Sequence, residues 1–305
     1  VRKNYKNSWS NYPTWEKKEH ATEHMIYPGN ITESIAIDEL TLSKGELYTY
    51  VTAKDKKQKN GTLIGSIRGT KAEDIIKYVG QIPESERLKV KEVSLDMAAN
   101  MKLAAQILFP MAKMVIDRFH VIKLVLEALQ AIRIDYRWEA IERENKEIAR
   151  CRKNKIKFES TRLANGETHR ELLARSRFLL FRLPSNWTEN QKERAKILFK
   201  EYPKLREAYN KVLQFRRIYE NRSRDKAKAK FRKWIREIKY MKWDEFNTAA
   251  NSIQHHLEDI LNFFLNRTTN ANAESFNAKI KLYRANLRGV SNTTFFLFRL
   301  EKLFA

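Results

Sequence analysis

Three acidic side chains have the type and setting for phosphoryl chemistry. Asp38 closes the apolar run Ile35-Ala36-Ile37, and Asp96 closes Val93-Ser94-Leu95. Glu274 lies in Asn272-Ala273-Glu274-Ser275-Phe276-Asn277, whose spacing predicts a helix. A carboxylate at the end of a buried strand is costly unless something cationic binds it. Three that converge would hold a pair of divalent ions about 3.5–4 Å apart, one at the attacking oxygen and one at the leaving oxygen of a phosphodiester. Mg²⁺ suits such a site, because it takes carboxylate and water oxygens and keeps coordination positions that phosphate can fill. We expect Asp38 to bridge both ions, with Asp96 and Glu274 each holding one. Singly, a strand-end Asp is as readily a turn former, and a lone Glu a helix cap or surface residue.

Other polar residues gather around these three. Asp117-Arg118-Phe119-His120 follows a fifth strand and opens a helix. Asp117 has the place of a helix cap, and His120 that of a group contacting phosphate or orienting a water or carboxylate, although a histidine there is more commonly core. On the helix expected around Glu274, residues Asn270, Glu274, Asn277 and Lys281 share one face, and Phe276, Ile280 and Tyr283 share another suited to packing on a sheet. Lys279, Lys281, Arg284 and Arg288 follow. They are expected to hold nucleic-acid phosphates beside the metals, against the alternative of ordinary exposed cations.

The elements that must position these residues are legible in the pattern. Apolar and β-branched runs predict strands over 34–40, 47–53, 62–67, 90–95 and 113–117, with helices over 71–79 and 98–109. The Asn60-Gly61 pair is a hairpin signal. The resulting β-β-β-α-β-α-β order matches a ribonuclease-H-like mixed five-stranded sheet, in which the first and fourth strands are neighbours and bring Asp38 and Asp96 to one edge. Beyond about Phe119 the strand signal ends, and helical periodicity continues to about Asn266, with a capping box at Thr188 and Gln191. The expected division is a lead-in over 1–33, an α/β core over 34–134, a large all-α insertion over 135–266, and a completion of the core over 267–305 that carries the Glu274 helix.

Composition narrows the partner. The 305 residues carry a net charge of +23, with 60 Lys and Arg against 37 Asp and Glu. That balance suits a polyanion: DNA, RNA or an anionic membrane face. Most of the surplus falls between Arg133 and Lys242, and an excess of one sign favours backbone contact with nucleic acid over mere solvation. The tryptophans there, Trp138, Trp187, Trp234 and Trp243, are candidates for stacking on unpaired bases, with core packing the default for each. No apolar run reaches the roughly 20 residues that span a bilayer. The single cysteine, Cys151, forms neither an internal disulfide nor a zinc cluster, which implies a cytoplasmic protein without structural zinc. His20 and His24, four residues apart, are read as surface or packing residues rather than zinc ligands. No glycine-rich phosphate loop is present.

Ile37-Asp38-Glu39-Leu40, Val93-Ser94-Leu95-Asp96-Met97-Ala98, Asp117-Arg118-Phe119-His120 and the run from Thr269 to Lys281, in this order, resemble bacterial insertion-sequence transposases with an Asp-Asp-Glu triad, of the ISL-three type. Arg288-Gly289-Val290 and Phe295 to Leu300 resemble that group's C-terminal end. The resemblance covers nearly all of the chain from about Ile31. It implies a ribonuclease-H-like core interrupted by a helical insertion, with the triad at Asp38, Asp96 and Glu274 and two Mg²⁺ or Mn²⁺ ions. It also implies cleavage of DNA at element ends by water and strand transfer to target DNA by a 3′-hydroxyl. Synapsis of two ends is compatible with a homodimer, which no coiled-coil heptads support, and the active protein is expected to be nucleoid-associated. Relatives usually carry an N-terminal DNA-reading region. Nothing here fits it, and the chain starts at Val1 rather than Met, so a preceding segment or a separate partner chain is expected to supply it. The competing functions are a catalytically inactive DNA-binding regulator and a structure-selective nuclease.

Overall fold

The computed structural model describes residues 4–42, 45–55, 61–267 and 271–305, with the backbone alone described for 271–274. The chain divides into two units, one formed by Val1–His120 with Glu258–Ala305 and the other by Val121–Leu257.

The first unit is built on a mixed sheet of β1 (His24–Ile26), β2 (Ser34–Thr41), β3 (Leu47–Ala53), β4 (Leu63–Arg68), β5 (Glu92–Leu95) and β6 (Lys113–Ile116). The spatial order is β1-β4-β3-β2-β5-β6. The pairs from β1 to β2 are antiparallel, and β2–β5 and β5–β6 are parallel. The sheet therefore has six strands rather than the five expected. The extra strand, β1, arises in the lead-in, where the sequence pattern predicts no strand. Three residues are too few to show alternation, and β1 forms because Gly65 admits it: a Cβ on Gly65 would stand 3.1 Å from the Ile26 side chain.

Strand alternation sends two sets of side chains to opposite faces. Ile35, Ile37, Val51, Val93 and Leu95 pack beneath α1 (Ala72–Val79) and α3 (Ala99–Leu108), the crossover helices flanking the short α2 (Glu84–Arg87). Leu40, Tyr48 and Tyr50 face the other way, among side chains of α12 (Ala271–Asn286) and α13 (Thr293–Phe304). Cover on both faces explains why these strands read as nearly unbroken apolar runs. The lead-in belongs to this core. Tyr12 and Trp15 are buried edge-on against Phe298 at 5.4 Å, and Trp15 Nε1 donates to Glu301 Oε1 at 3.0 Å. Aromatic content there reflects packing on α13, which a linear reading could not assign.

The second unit is helical: most of α4 (Arg118–Lys153), then α5 (His169–Arg175), α6 (Arg177–Phe181), α7 (Glu189–Glu201), α8 (Pro203–Ile218), α9 (Arg224–Met241) and α10 (Asp244–His255). Capping boxes open α5 at Thr168 with Glu171 and α7 at Thr188 with Gln191. Two segments whose helical periodicity predicts continuous helices, over 172–181 and 246–265, are broken. One divides at Ser176, whose hydroxyl donates to Leu172 O at 2.6 Å. The other divides at His256, where α10 gives way to α11 (Leu257–Asn266). Trp234 is core as expected, whereas Trp138 is 65% exposed. No helix among the described residues is long and apolar enough to cross a membrane.

Candidate active site

The sheet register aligns three carboxylates. Ala36 lies opposite Ser94 across the parallel β2–β5 pair, so continuing two residues brings Asp38 level with Asp96. Leu95 lies opposite Ile116 across β5–β6, so the next residues, Asp96 and Asp117, are also level. Equivalent positions on neighbouring strands point to the same face, and strands stand about 4.8 Å apart. Asp38, within the longer β2, thus stands in a row with Asp96 and Asp117, which directly follow the carboxyl ends of β5 and β6, on the face that carries α12. Ligand sites of open α/β sheets favour this edge.

Each acid is anchored by one oxygen to the backbone that follows it. Asp38 Oδ1 accepts from the Glu39 N–H at 2.9 Å, Asp96 Oδ1 from Ala98 N–H at 2.8 Å, and Asp117 Oδ1 from Phe119 N–H at 3.2 Å. The turn-forming role weighed from sequence and a ligating role are therefore compatible, because they use different oxygens. Asp38 Oδ2 accepts from Asn277 Nδ2 at 2.6 Å. Asp117 Oδ2 is buried and has no hydrogen-bond partner among the described residues. Burial pushes the Asp38 carboxyl above its ordinary range; His120 and the Glu39 N–H pull it down, and Asp96 and Asp117 push it up again. His120, in the first turn of α4, is thus electrostatically part of the cluster.

The fourth wall is α12. Phe276 and Ile280 are buried, with Phe276 edge-on to Tyr50 at 5.7 Å. Tyr50 is the β3 partner of Asp38. This packing sets Asn277 onto Asp38. Glu274 lies on the α12 backbone three residues earlier, on the same helical face by periodicity, and its side chain lies outside the described residues, as does Asn270 entirely. Among the cations expected to meet phosphate, Lys279, Lys281 and Arg288 are exposed, and Arg284 Nη1 donates to Thr41 O at 3.1 Å.

Hard carboxylate oxygens, an orphaned buried Asp117 Oδ2 and a carboxyl held above its ordinary range all fit a hard divalent cation. Among the described residues, no group of three or more His, Cys, Asp and Glu is close enough to hold a metal. The fit thus rests on the row of oxygens together with the helix that bears Glu274.

The same sheet face holds a network that the sequence did not reveal. Lys54 Nζ donates to Glu92 Oε1 and to Ser94 Oγ, both at 2.7 Å, and all three residues are buried. Asn266 Nδ2 donates to Glu92 Oε2 at 3.1 Å, Asn262 Nδ2 to Met114 O at 2.9 Å, and Lys102 pairs with Asp259 at 2.5 Å. These bonds pin α11 to β5, β6 and α3 just before the segment leading to α12. One signal was available: Glu92, Ser94 and Asp96 alternate along β5 and must share a face.

A family model described as transposase, of the ISL3 type, matches residues 35–300. The transposase for insertion sequence element IS1001 of Bordetella parapertussis is 23% identical over 273 residues, which cover 89% of this chain and 61% of that protein. The chain therefore spans about three-fifths of that relative's length. No solved structure matches the chain.

Proposed function

Because the chain belongs to the ISL3-type transposase family, we propose that it cleaves DNA at the ends of an insertion element and joins the freed 3′-hydroxyl to target DNA. The catalytic residues of this reading are Asp38, Asp96 and Glu274, on a ribonuclease-H-like sheet. The observation that carries it is the row of Asp38, Asp96 and Asp117 across three parallel strands, with Asn277 of α12 bonded to Asp38.

Paired Mg²⁺ or Mn²⁺ ions at these carboxylates would supply Lewis acidity to the attacking and leaving oxygens. Asp38 sits between the other acids and the Glu274 helix, which suits a bridging ligand. Asp96 and Glu274 supply the flanking oxygens. Asp117, buried and half satisfied, supports the cluster's negative field, and His120 orients a water or a phosphate oxygen. The anchored Oδ1 atoms hold the acids without reorganisation, the condition for electrostatic preorganisation. Lys279, Lys281, Arg284 and Arg288 follow the Glu274 turn and hold the scissile strand's backbone. Two copies bridging two element ends, with a further DNA-reading segment or partner chain, complete the reading.

Incubating the protein with labelled element-end duplexes and Mg²⁺ or Mn²⁺ tests it. Cleavage followed by joining is expected. Asp96→Ala and Glu274→Ala should each lower cleavage by at least about a thousandfold while DNA affinity stays within about threefold. Normal cutting by either variant removes that residue from the site. Cutting without joining would make the protein a nuclease, and binding without cutting a regulator.

A further inference from the structure

The helical unit Val121–Leu257 contains a cleft of about 650 Å³ lined by Pro184 and Trp187, by one side of α7, and by Arg206 of α8. That volume lies within the roughly 300–1,000 Å³ of small-molecule sites. Its apolar wall is aromatic. Trp187 and Phe199 are half-buried and line the cleft, and buried Tyr209 stacks on both, at 5.6 Å and 23° to the first and 5.5 Å and 27° to the second. Hydrogen bonds fix the group: the Trp187 indole N–H donates to Leu179 O at 3.0 Å, and the Tyr209 hydroxyl to Arg182 O at 2.7 Å. The two cleft rings are thus held in place from behind, at little further ordering cost.

The rim is cationic. Lys192, Lys196 and Lys200 recur every four residues along α7, a stripe about 12 Å long on one helix face. Lys192 pairs with Glu189 at 2.7 Å. Lys196, Lys200 and Arg206 make no ion pair among the described residues. An apolar peptide would leave this charge unanswered, and a point anion would leave the aromatic wall empty. A nucleotide answers both, with a flat base for the rings and flanking phosphates for the stripe. A paired base cannot reach the cleft while it is stacked in the duplex, so the occupant must be extruded or single-stranded.

We propose that this cleft seats an unpaired nucleotide of the DNA substrate, its base against Trp187 and Phe199 and its flanking phosphates on Lys196, Lys200 and Arg206. The proposal rests on DNA being the substrate and is independent of the metal chemistry.

The test uses the whole chain and three oligonucleotides: a perfect duplex, the same duplex with a two-base bulge, and a single strand. Each carries 2-aminopurine, at the bulge in the second. Binding is read by anisotropy and stacking by 2-aminopurine quenching. Wild type should bind the bulged duplex more tightly than the perfect one and quench the bulge fluorophore. Trp187→Ala should weaken binding of the bulged and single-stranded oligonucleotides about ten- to a hundredfold and abolish quenching, with perfect-duplex affinity changed less than about threefold. Trp187→Phe should restore most of the loss. If Trp187→Ala disturbs folding, the exposed pair Lys196→Ala with Lys200→Ala should still weaken bulge binding selectively. Duplex binding with an unquenched bulge, or unpaired-strand affinity indifferent to both variants, overturns the proposal while leaving DNA as the substrate. Failure to bind any of the three overturns both.

Discussion

At the scale of single residues, the proposed chemistry turns on how Asp38 is held. Its two oxygens take one backbone N–H and one side-chain amide, yet burial and the acids beside it still keep its carboxyl above the ordinary range. A carboxyl raised on folding stabilises the protein only below its unfolded value, about 3.9. That stability is lost as pH rises through the folded value, so at neutral pH the ionised group is a net cost. Asp38→Asn removes the charge, and Asn277 can flip its amide to accept from the new donor. The variant should melt at a higher temperature than wild type at pH 7, with the gain shrinking toward pH 4. Millimolar Mn²⁺ should raise the wild-type Tm and barely move that of the variant. Scanning fluorimetry across pH and metal concentration reads both. A variant no more stable at pH 7 would mean that the row of acids is already neutralised by groups of the chain itself.

At the scale of elements, the site depends on α11 and α12 meeting the sheet correctly, and a buried ion pair lies at that junction. Lys54 and Glu92 have side chains only 6% exposed. Removing one partner of a buried pair leaves an uncompensated charge and costs about 3–5 kcal/mol, whereas replacing both by apolar groups is often near neutral. Lys54→Met should therefore be strongly destabilising, and Lys54→Met combined with Glu92→Leu should recover most of the loss, as measured by urea unfolding. Additive losses would show that each residue acts through other neighbours. This pair also marks where sequence reading ended. Val93, Leu95 and Asp96 announced a strand with an acid at its end, and Phe276 with Ile280 announced a helix with a sheet-facing side, because both periodicities are local. Nothing local ties Lys54 to a glutamate 38 positions away, so the network was invisible, although the alternation of Glu92, Ser94 and Asp96 held half of it. β1 was missed because pairing with Gly65 creates it rather than propensity, and the lead-in aromatics because their partner, α13, lies at the other end of the chain. The Asn277–Asp38 bond was half legible: periodicity grouped Asn277 with Glu274, and the packing of Phe276 on Tyr50, the β3 partner of Asp38, completed the picture.

At the scale of the whole molecule, charge and aromatic geometry should make separable contributions to the proposed DNA binding. A net charge of +23 means that binding should be dominated by counterion release, with the logarithm of affinity falling linearly with the logarithm of salt at a slope of about −0.9 per phosphate contact. Six to ten contacts would cost about 10³–10⁵ in affinity between 50 and 200 mM salt. Stacking releases few counterions, so the two kinds of variant in the helical unit should part company in a salt titration. Lys196→Ala with Lys200→Ala removes two phosphate partners and should flatten the slope by about 2. Trp187→Ala should lower affinity for an unpaired strand at every salt concentration and leave the slope unchanged. Asp96→Asn should alter neither, because in the proposed site its carboxylate would meet DNA through a cation rather than directly. Parallel lines for wild type and the double lysine variant would mean that the α7 stripe faces solvent in the complex, and the excess positive charge would then have to act elsewhere on the surface.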